Sequence, residues 1–340
     1  MASLREELTP FLATMDQIAW ARESELTSGH GRGNRIIDVD NGSGLHFTIA
    51  PDRAMDIVEA SFNGLPLVFR TPGIHRSRME YDPAGAAWLR TWQGGLMTTC
   101  GLRSTGTPDD EFGLHGRISA QPAEDVSISR GWNEEGSEYR IRISGVVREA
   151  AIFGENMQLE RSITTSLGSN MIMVTDRVTN LGPAEDYVQI LYHCNFGYPF
   201  ISPDIRFPLP EHKITPRDIH AEKGLDQWNV MPPPDASNPP EQCFFHELEP
   251  ANEGGDAIFS VENPALGIRV SIVYNTNTLP RLVQWKNIHQ SRYVLGLEPT
   301  NTYLKGRNAE IADGTADKLV PGESRYFQFG FIFENIQPEK

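Results

Sequence analysis

Apolar and polar positions alternate with a period of two along much of the chain, the pattern of strands with one face against a core. Residues 139–147, 158–166 and 171–180 carry it most clearly, with turn signals at Gly154-Glu155 and Gly168-Ser-Asn170 between them. Nearer the start, 35–39, 45–50 and 55–62 are short runs broken by Asn-Gly-Ser-Gly and Pro-Asp. Asn63-Gly64, between 57–62 and 65–69, predicts a two-residue hairpin. Strands resume at 257–262, 267–274, 281–285, 293–297 and 325–333. Helical spacing occurs only at the start. Ser3 with Glu6 forms a capping-box pattern, followed by Leu4, Leu8, Phe11, Leu12 and Met15. Strands without intervening helices predict an all-β fold, a large antiparallel β-sandwich. The expected organisation is a helical lead-in over 1–28 and one sandwich domain over 29–340. The proline-rich span 203–250 is read as long loops over one rim; a domain boundary there is the alternative.

Composition narrows the function classes. With 39% hydrophobic and 22% charged residues the chain has the balance of a soluble globular protein. No apolar run approaches the ~20 residues of a membrane span. The acidic start, Met-Ala-Ser-Leu-Arg-Glu-Glu-Leu, lacks the basic end and apolar block of a signal peptide. A formal net charge of −15 opposes binding to phosphate backbones, so a nucleic-acid partner is not expected. Cys100, Cys194 and Cys243 are sparse and form no CxxC pair, which fits a reducing cytoplasm. Nothing in the sequence sets the oligomeric state.

Candidate chemistry lies in a few segments. In Tyr192-His-Cys-Asn-Phe-Gly-Tyr-Pro199, His193 and Asn195 are two apart at the end of a strand, so they share a face, and Gly-Tyr-Pro places them near a rim. The block from Trp88 to Leu102 mixes indoles, glycines, Arg90 and Gln93, a composition suited to holding a polyhydroxylated ring. A buried Trp/Gly corner would look the same. His115 sits between an apolar residue and a glycine in Gly113-Leu-His-Gly116, where backbone can approach a ligand. Glu298, among apolar neighbours and before a proline that should end its strand, is a candidate general base. Arg53, Arg90, Arg117 and Lys286, with Gln93, Asn195 and Gln284, complete the candidate substrate contacts. The cations would either reach an anionic group on a substrate or pair with acids such as Asp52 and Asp56 as scaffolding.

Gly-Leu-His115-Gly, Leu-Tyr-His193-Cys-Asn-Phe-Gly-Tyr and Gly-Leu-Glu298-Pro resemble, in order and strand context, the active-site segments of the aldose 1-epimerase (galactose mutarotase-like) superfamily. The resemblance implies a small-molecule carbohydrate substrate, His193 as general acid at the ring oxygen, Glu298 as general base at the anomeric hydroxyl, and His115 as a substrate-orienting residue. It implies no cofactor, and no glycine-rich phosphate or dinucleotide motif is present. The chain departs from the family pattern in the Arg-Thr-Trp-Gln-Gly-Gly block of 90–95, which differs from that of galactose mutarotases, and in two further ways. Tandem His-Leu-His is reduced to Gly-Leu-His115, and the sugar-binding aspartate has no evident counterpart at Asp235 or Asp256. Two rivals stay open: a metal-dependent isomerase or oxygenase using the two histidines and the glutamate as ligands, and a carbohydrate-binding module without turnover.

Overall fold

The computed structural model describes residues 2–337. In chain order its strands are β1 (Trp20–Glu25), β2 (Arg35–Asp40), β3 (Leu45–Ala50), β4 (Asp56–Phe62), β5 (Leu65–Pro66), β6 (Thr98–Leu102), β7 (Ala123–Trp132), β8 (Tyr139–Ala150), β9 (Asn156–Ser166) and β10 (Met171–Asn180). They continue as β11 (Asp186–Gly197), β12 (Lys213–Pro216), β13 (Gln242–Glu247), β14 (Asp256–Asn263), β15 (Ile268–Asn275), β16 (Arg281–His289), β17 (Arg292–Thr300), β18 (Asp317–Leu319) and β19 (Ser324–Asn335). Three short helices accompany them: α1 (Leu4–Leu8), α2 (Ile219–Glu222) and α3 (Arg307–Ala312).

The strands form an antiparallel sheet β1-β2-β3-β4-β5, a second in the order β14-β15-β19-β10-β9-β8-β7, and a third in the order β12-β13-β16-β17-β11-β18, with β6 also paired to β11. This is the large β-sandwich that the alternation predicts. The strict period of two on β8 and β9, buried at every second residue, follows from one face packing inward and the other meeting solvent. Asn63 and Gly64 both take positive φ between β4 and β5, as the hairpin signal requires.

The lead-in is shorter than its spacing suggests. The Ser3–Glu6 capping box is present, but α1 ends at Leu8 and a 3₁₀ turn with Pro10 follows, leaving Phe11 exposed. Trp20–Glu25, within the expected helical segment, is instead a strand on β2. The span 203–250 likewise contains β12 and β13, an edge pair of the third sheet, as well as α2.

Strand β11 is buried along almost its whole length because both its faces are covered. Val188, Ile190, Tyr192, Cys194 and Phe196 point into the main core, whereas Leu191 joins a second, smaller apolar cluster with Trp88, Trp92, Cys100, Cys243, Phe245 and Val283. Below His193 lies a buried ion network. Arg161 on β9 forks onto Asp176 of β10 at 2.9 and 2.6 Å, and donates to Ala54 O and Thr99 Oγ1, each at 2.8 Å. Tyr192 donates its hydroxyl to Asp176 at 2.7 Å. Arg161 thus ties the second sheet to β6, and the Asp176 carboxylate it holds ties that sheet to the strand of His193.

Candidate active site

The register of the third sheet builds the site. Phe245 pairs with Val283, Val283 with Glu298, and His193 with Thr98. Leu191 opposite Thr300 and Cys194 opposite Leu297 bring His193 across from Glu298. Residues directly opposite on antiparallel strands point to the same face, so Phe245, Val283, Glu298, His193 and Thr98 make one row across β13, β16, β17, β11 and β6. Glu298 does not end its strand. β17 runs on through Pro299, which lies opposite Leu282 of β16.

Nδ1 of His193 faces Oε1 of Glu298 at 3.0 Å. The two atoms are not aligned as a hydrogen bond, and neither has another partner among the described residues. The residues are only 6% and 2% exposed, so each is taken out of water with almost no compensation. Burial holds the His193 imidazole well below its ordinary range, with His115 adding to the effect. Burial likewise raises the Glu298 carboxyl well above the usual carboxylate range; Glu241 adds to this and Arg217 opposes it.

Aromatic rings wall the pair. Trp92 lies 5.2 Å and Trp285 5.4 Å from the His193 ring, and Trp88 stacks on Trp92 at 5.5 Å. His115 is 5.5 Å from His193 and 4.8 Å from Trp88. Its Nδ1 accepts from the Gly106 N–H at 3.3 Å, so a neutral ring carries its proton on Nε2. Burial, with Arg217 in support, lowers His115 to about 4 and keeps it neutral at physiological pH. His115 itself has φ of +62°, while a Cβ on the following Gly116 would strike the carbonyls of Ser104 and Gly101. That glycine's missing Cβ is accounted for by close packing on β6.

At the rim Trp285 donates its indole N–H to Glu241 at 2.7 Å, and Glu241 pairs with Arg217 at 3.1 Å. Sequence reasoning missed Glu241 and Arg217, which lie in the aperiodic 203–250 span. It also nominated Gln284 and Lys286 rather than Trp285 between them. Side chains alternate along β16, so Gln284 and Lys286 point away from Glu298. Gln284 accepts from His246 and donates to Trp228 O; the Lys286 ammonium holds the carbonyls of Gln227 and Val230 at 2.8 and 3.0 Å.

The other candidates divide similarly. Arg53 is buried and spends its guanidinium on the carbonyls of Ser119, Arg76 and Thr91, anchoring the turn that carries Trp88 and Trp92. Arg117 lies over the Phe112 ring, donates to Glu111 O and sits 3.6 Å from Glu155. Arg90 is exposed at the end of a 3₁₀ turn. Asp52 pairs with Arg35, and Asp56 accepts from Thr99 rather than binding Arg53 directly. Asn195 shares the face of His193, but its amide N–H groups go to the carbonyls of Gly95 and His193, leaving Oδ1 unpartnered. Gln93 Oε1 and Trp92 Nε1 are also buried without partners. Cys100, Cys194 and Cys243 are free and buried, with thiols pushed up by burial. Among the described residues no group of three His, Cys, Asp or Glu is arranged to hold a metal ion, and no helix is long and apolar enough to cross a membrane.

This architecture is that of the galactose mutarotase-like β-sandwiches. Residues 31–332 match the family described as "Domain of unknown function (DUF4432)", and the chain belongs to that family. A Klebsiella pneumoniae protein described as "a putative aldose 1-epimerase" superposes with a TM-score of 0.84 at 25% identity, over 95% of this chain and 89% of that one. A galactose mutarotase-like protein from Clostridium acetobutylicum gives a TM-score of 0.64 at 16% identity, covering 94% and 100%. Galactose 1-epimerase from Lactobacillus acidophilus gives 0.60 at 10% identity, covering 94% and 99%. The last two likenesses carry the fold. No curated protein sequence matches.

Proposed function

We propose that the chain is an aldose 1-epimerase-like isomerase that interconverts the anomers of a neutral reducing sugar by general acid and base catalysis. The observation that supports this best is the desolvated contact of His193 with Glu298 at 3.0 Å inside a wall of indoles. The ring oxygen and the anomeric hydroxyl of an aldose are both bonded to C1. An acid and a base that are neighbours therefore serve the reaction, and they need not stand on opposite sides of the ring.

The proton inventory is self-contained. A protonated carboxyl beside a neutral imidazole and a carboxylate beside an imidazolium differ only by proton transfer within the pair. In the second form Glu298 takes the proton of O1–H while His193 gives one to the ring oxygen, and the C1–O5 bond breaks. Rotation about C1–C2 presents the other face of the aldehyde. The hydroxyl then recloses, returning its proton to His193 as Glu298 reprotonates O1. His115 offers an Nε2–H donor, and the apolar faces of Trp88, Trp92 and Trp285 suit a sugar ring.

Exchange NMR on a panel of aldoses, with and without the protein, tests the reading. Accelerated exchange between anomer signals of at least one sugar is expected. Saturable binding without acceleration would favour the carbohydrate-binding module, and neither effect on any sugar would remove both readings.

The pH dependence follows from burial. Ordinary groups, at 4.5 and 6.5, would confine the singly protonated pair to the interval between them. Desolvation favours the net-neutral pair, so uptake of a second proton moves to lower pH and loss of the last one to higher pH. A kcat/KM plateau extending beyond both values is expected. An alkaline limb at pH 6.5 would refute this account.

Substrate charge is a further expectation. Arg53 and Lys286 are committed to backbone carbonyls, and Arg217 already pairs with Glu241 and Asp218. Glucuronate and galacturonate should therefore show no kcat/KM advantage over glucose and galactose. A tenfold preference for the acids, weakened by salt, would return the substrate to the anionic class.

A further inference from the structure

We infer that Gly296 is a positioning residue for Glu298, the missing Cβ making the space in which the carboxyl group meets His193; this rests on the acid–base reading of the pair. Gly296 lies inside β17, opposite Trp285, and shares the face of Glu298 two residues further on. Its backbone is not among those with positive φ, so the conformation itself does not ask for glycine. A glycine in a strand interior is conformationally costly and contributes no packing. What the position needs is room. A Cβ there would stand 2.3 Å from Glu298 Oε1, the same oxygen that faces His193 Nδ1, and 3.1 and 3.2 Å from Cβ and Cε3 of Trp285.

All three of these neighbours are side-chain atoms, in contrast to Gly101, Gly116 and Gly197, whose added Cβ would strike backbone. The carboxyl is the movable end of a flexible side chain. An alanine at 296 is therefore accommodated chiefly by swinging the carboxyl off its strand, with Trp285 giving by a few tenths of an ångström, which keeps the strands paired and removes the contact with His193.

Gly296→Ala is expected to lower kcat about 10- to 100-fold with KM changed less than threefold and only a small loss of Tm, the cost of the tight contact with Trp285. Glu298→Asp provides the internal control, because a side chain one methylene shorter no longer reaches the added methyl. In that background Gly296→Ala should cost less than twofold, a non-additivity that a general weakening of the sheet would not produce. Trp285→Phe provides the opposing control. If it, and not Glu298→Asp, absorbs the effect of the alanine, Trp285 is the group displaced and the inference is overturned.

A readout independent of turnover separates this inference from the proposed activity. Long-range 1H–15N spectra of the His193 ring in wild type and in Gly296→Ala should differ, with the variant approaching the spectrum of Glu298→Gln. Unchanged His193 signals together with full kcat would overturn it. If wild type turned over no sugar, the spectra alone would still decide.

Discussion

Glu298→Gln is expected to reduce kcat by about 10²–10⁴, the range for losing a positioned general base, while sugar binding changes little. The amide keeps the shape of the carboxyl and its place opposite His193, but it cannot accept the O1 proton. It also breaks the proton inventory of the pair, because His193 can no longer receive a proton from its neighbour. The variant should therefore lose the broad kcat/KM plateau together with the rate. His193→Gln should fall in the same range, and the double variant should be little worse than either single one, since the two residues act as a unit. Additive losses would mean that the two groups act at separate steps. Full activity in Glu298→Gln would remove the mechanism.

The order His115, His193, Glu298 and the strand context of the last two were legible in the sequence, because alternation and short motifs are local properties. What was not legible depends on register and parity. Nothing in the sequence says that His193 and Glu298 stand opposite each other across β11 and β17, and that alignment makes the pair. Parity explains the errors around Trp285. Three consecutive residues, Gln284, Trp285 and Lys286, were equally plausible in a pocket, but only the middle one shares the face of Glu298.

Arg53 and Lys286 stay ambiguous in the sequence for a different reason. Positive charge in an acidic chain suggests a ligand, yet Arg53 and Lys286 answer to backbone carbonyls of turns that have no partner in a sheet. Such demand is invisible before the loops are placed. Prolines hid β12 and β13 in the same way. Pro216 lies opposite Phe244 in an edge strand of four residues, too short to show alternation. Arg217 follows it at once, so the charged rim of the site was lost with the strand.

Asp176→Ala is expected to destabilise the fold by about 3–5 kcal/mol, the cost of leaving a buried charge without its partner. Arg161 is fully buried, and Asp176 takes both arms of its fork. Ala54 O and Thr99 Oγ1 can keep their hydrogen bonds in the variant but supply no charge, and Asp56 stands 3.6 Å away as the nearest remaining acid. Asp56 is itself raised to about 7 by burial, despite the coulombic pull of Arg161. At 3.6 Å from the guanidinium, with the same oxygen already accepting from Thr99, it is only a partial substitute. Tyr192, next to His193 in β11, would lose the acceptor of its buried hydroxyl as well. Urea unfolding at pH 7 measures the loss, and replacing the pair together, Arg161→Met with Asp176→Leu, should recover much of it because no charge is then stranded. If Asp176→Ala costs less than about 1 kcal/mol, the guanidinium reaches water or another carboxylate. In that case the ion network is not what joins the second sheet to the strand of His193.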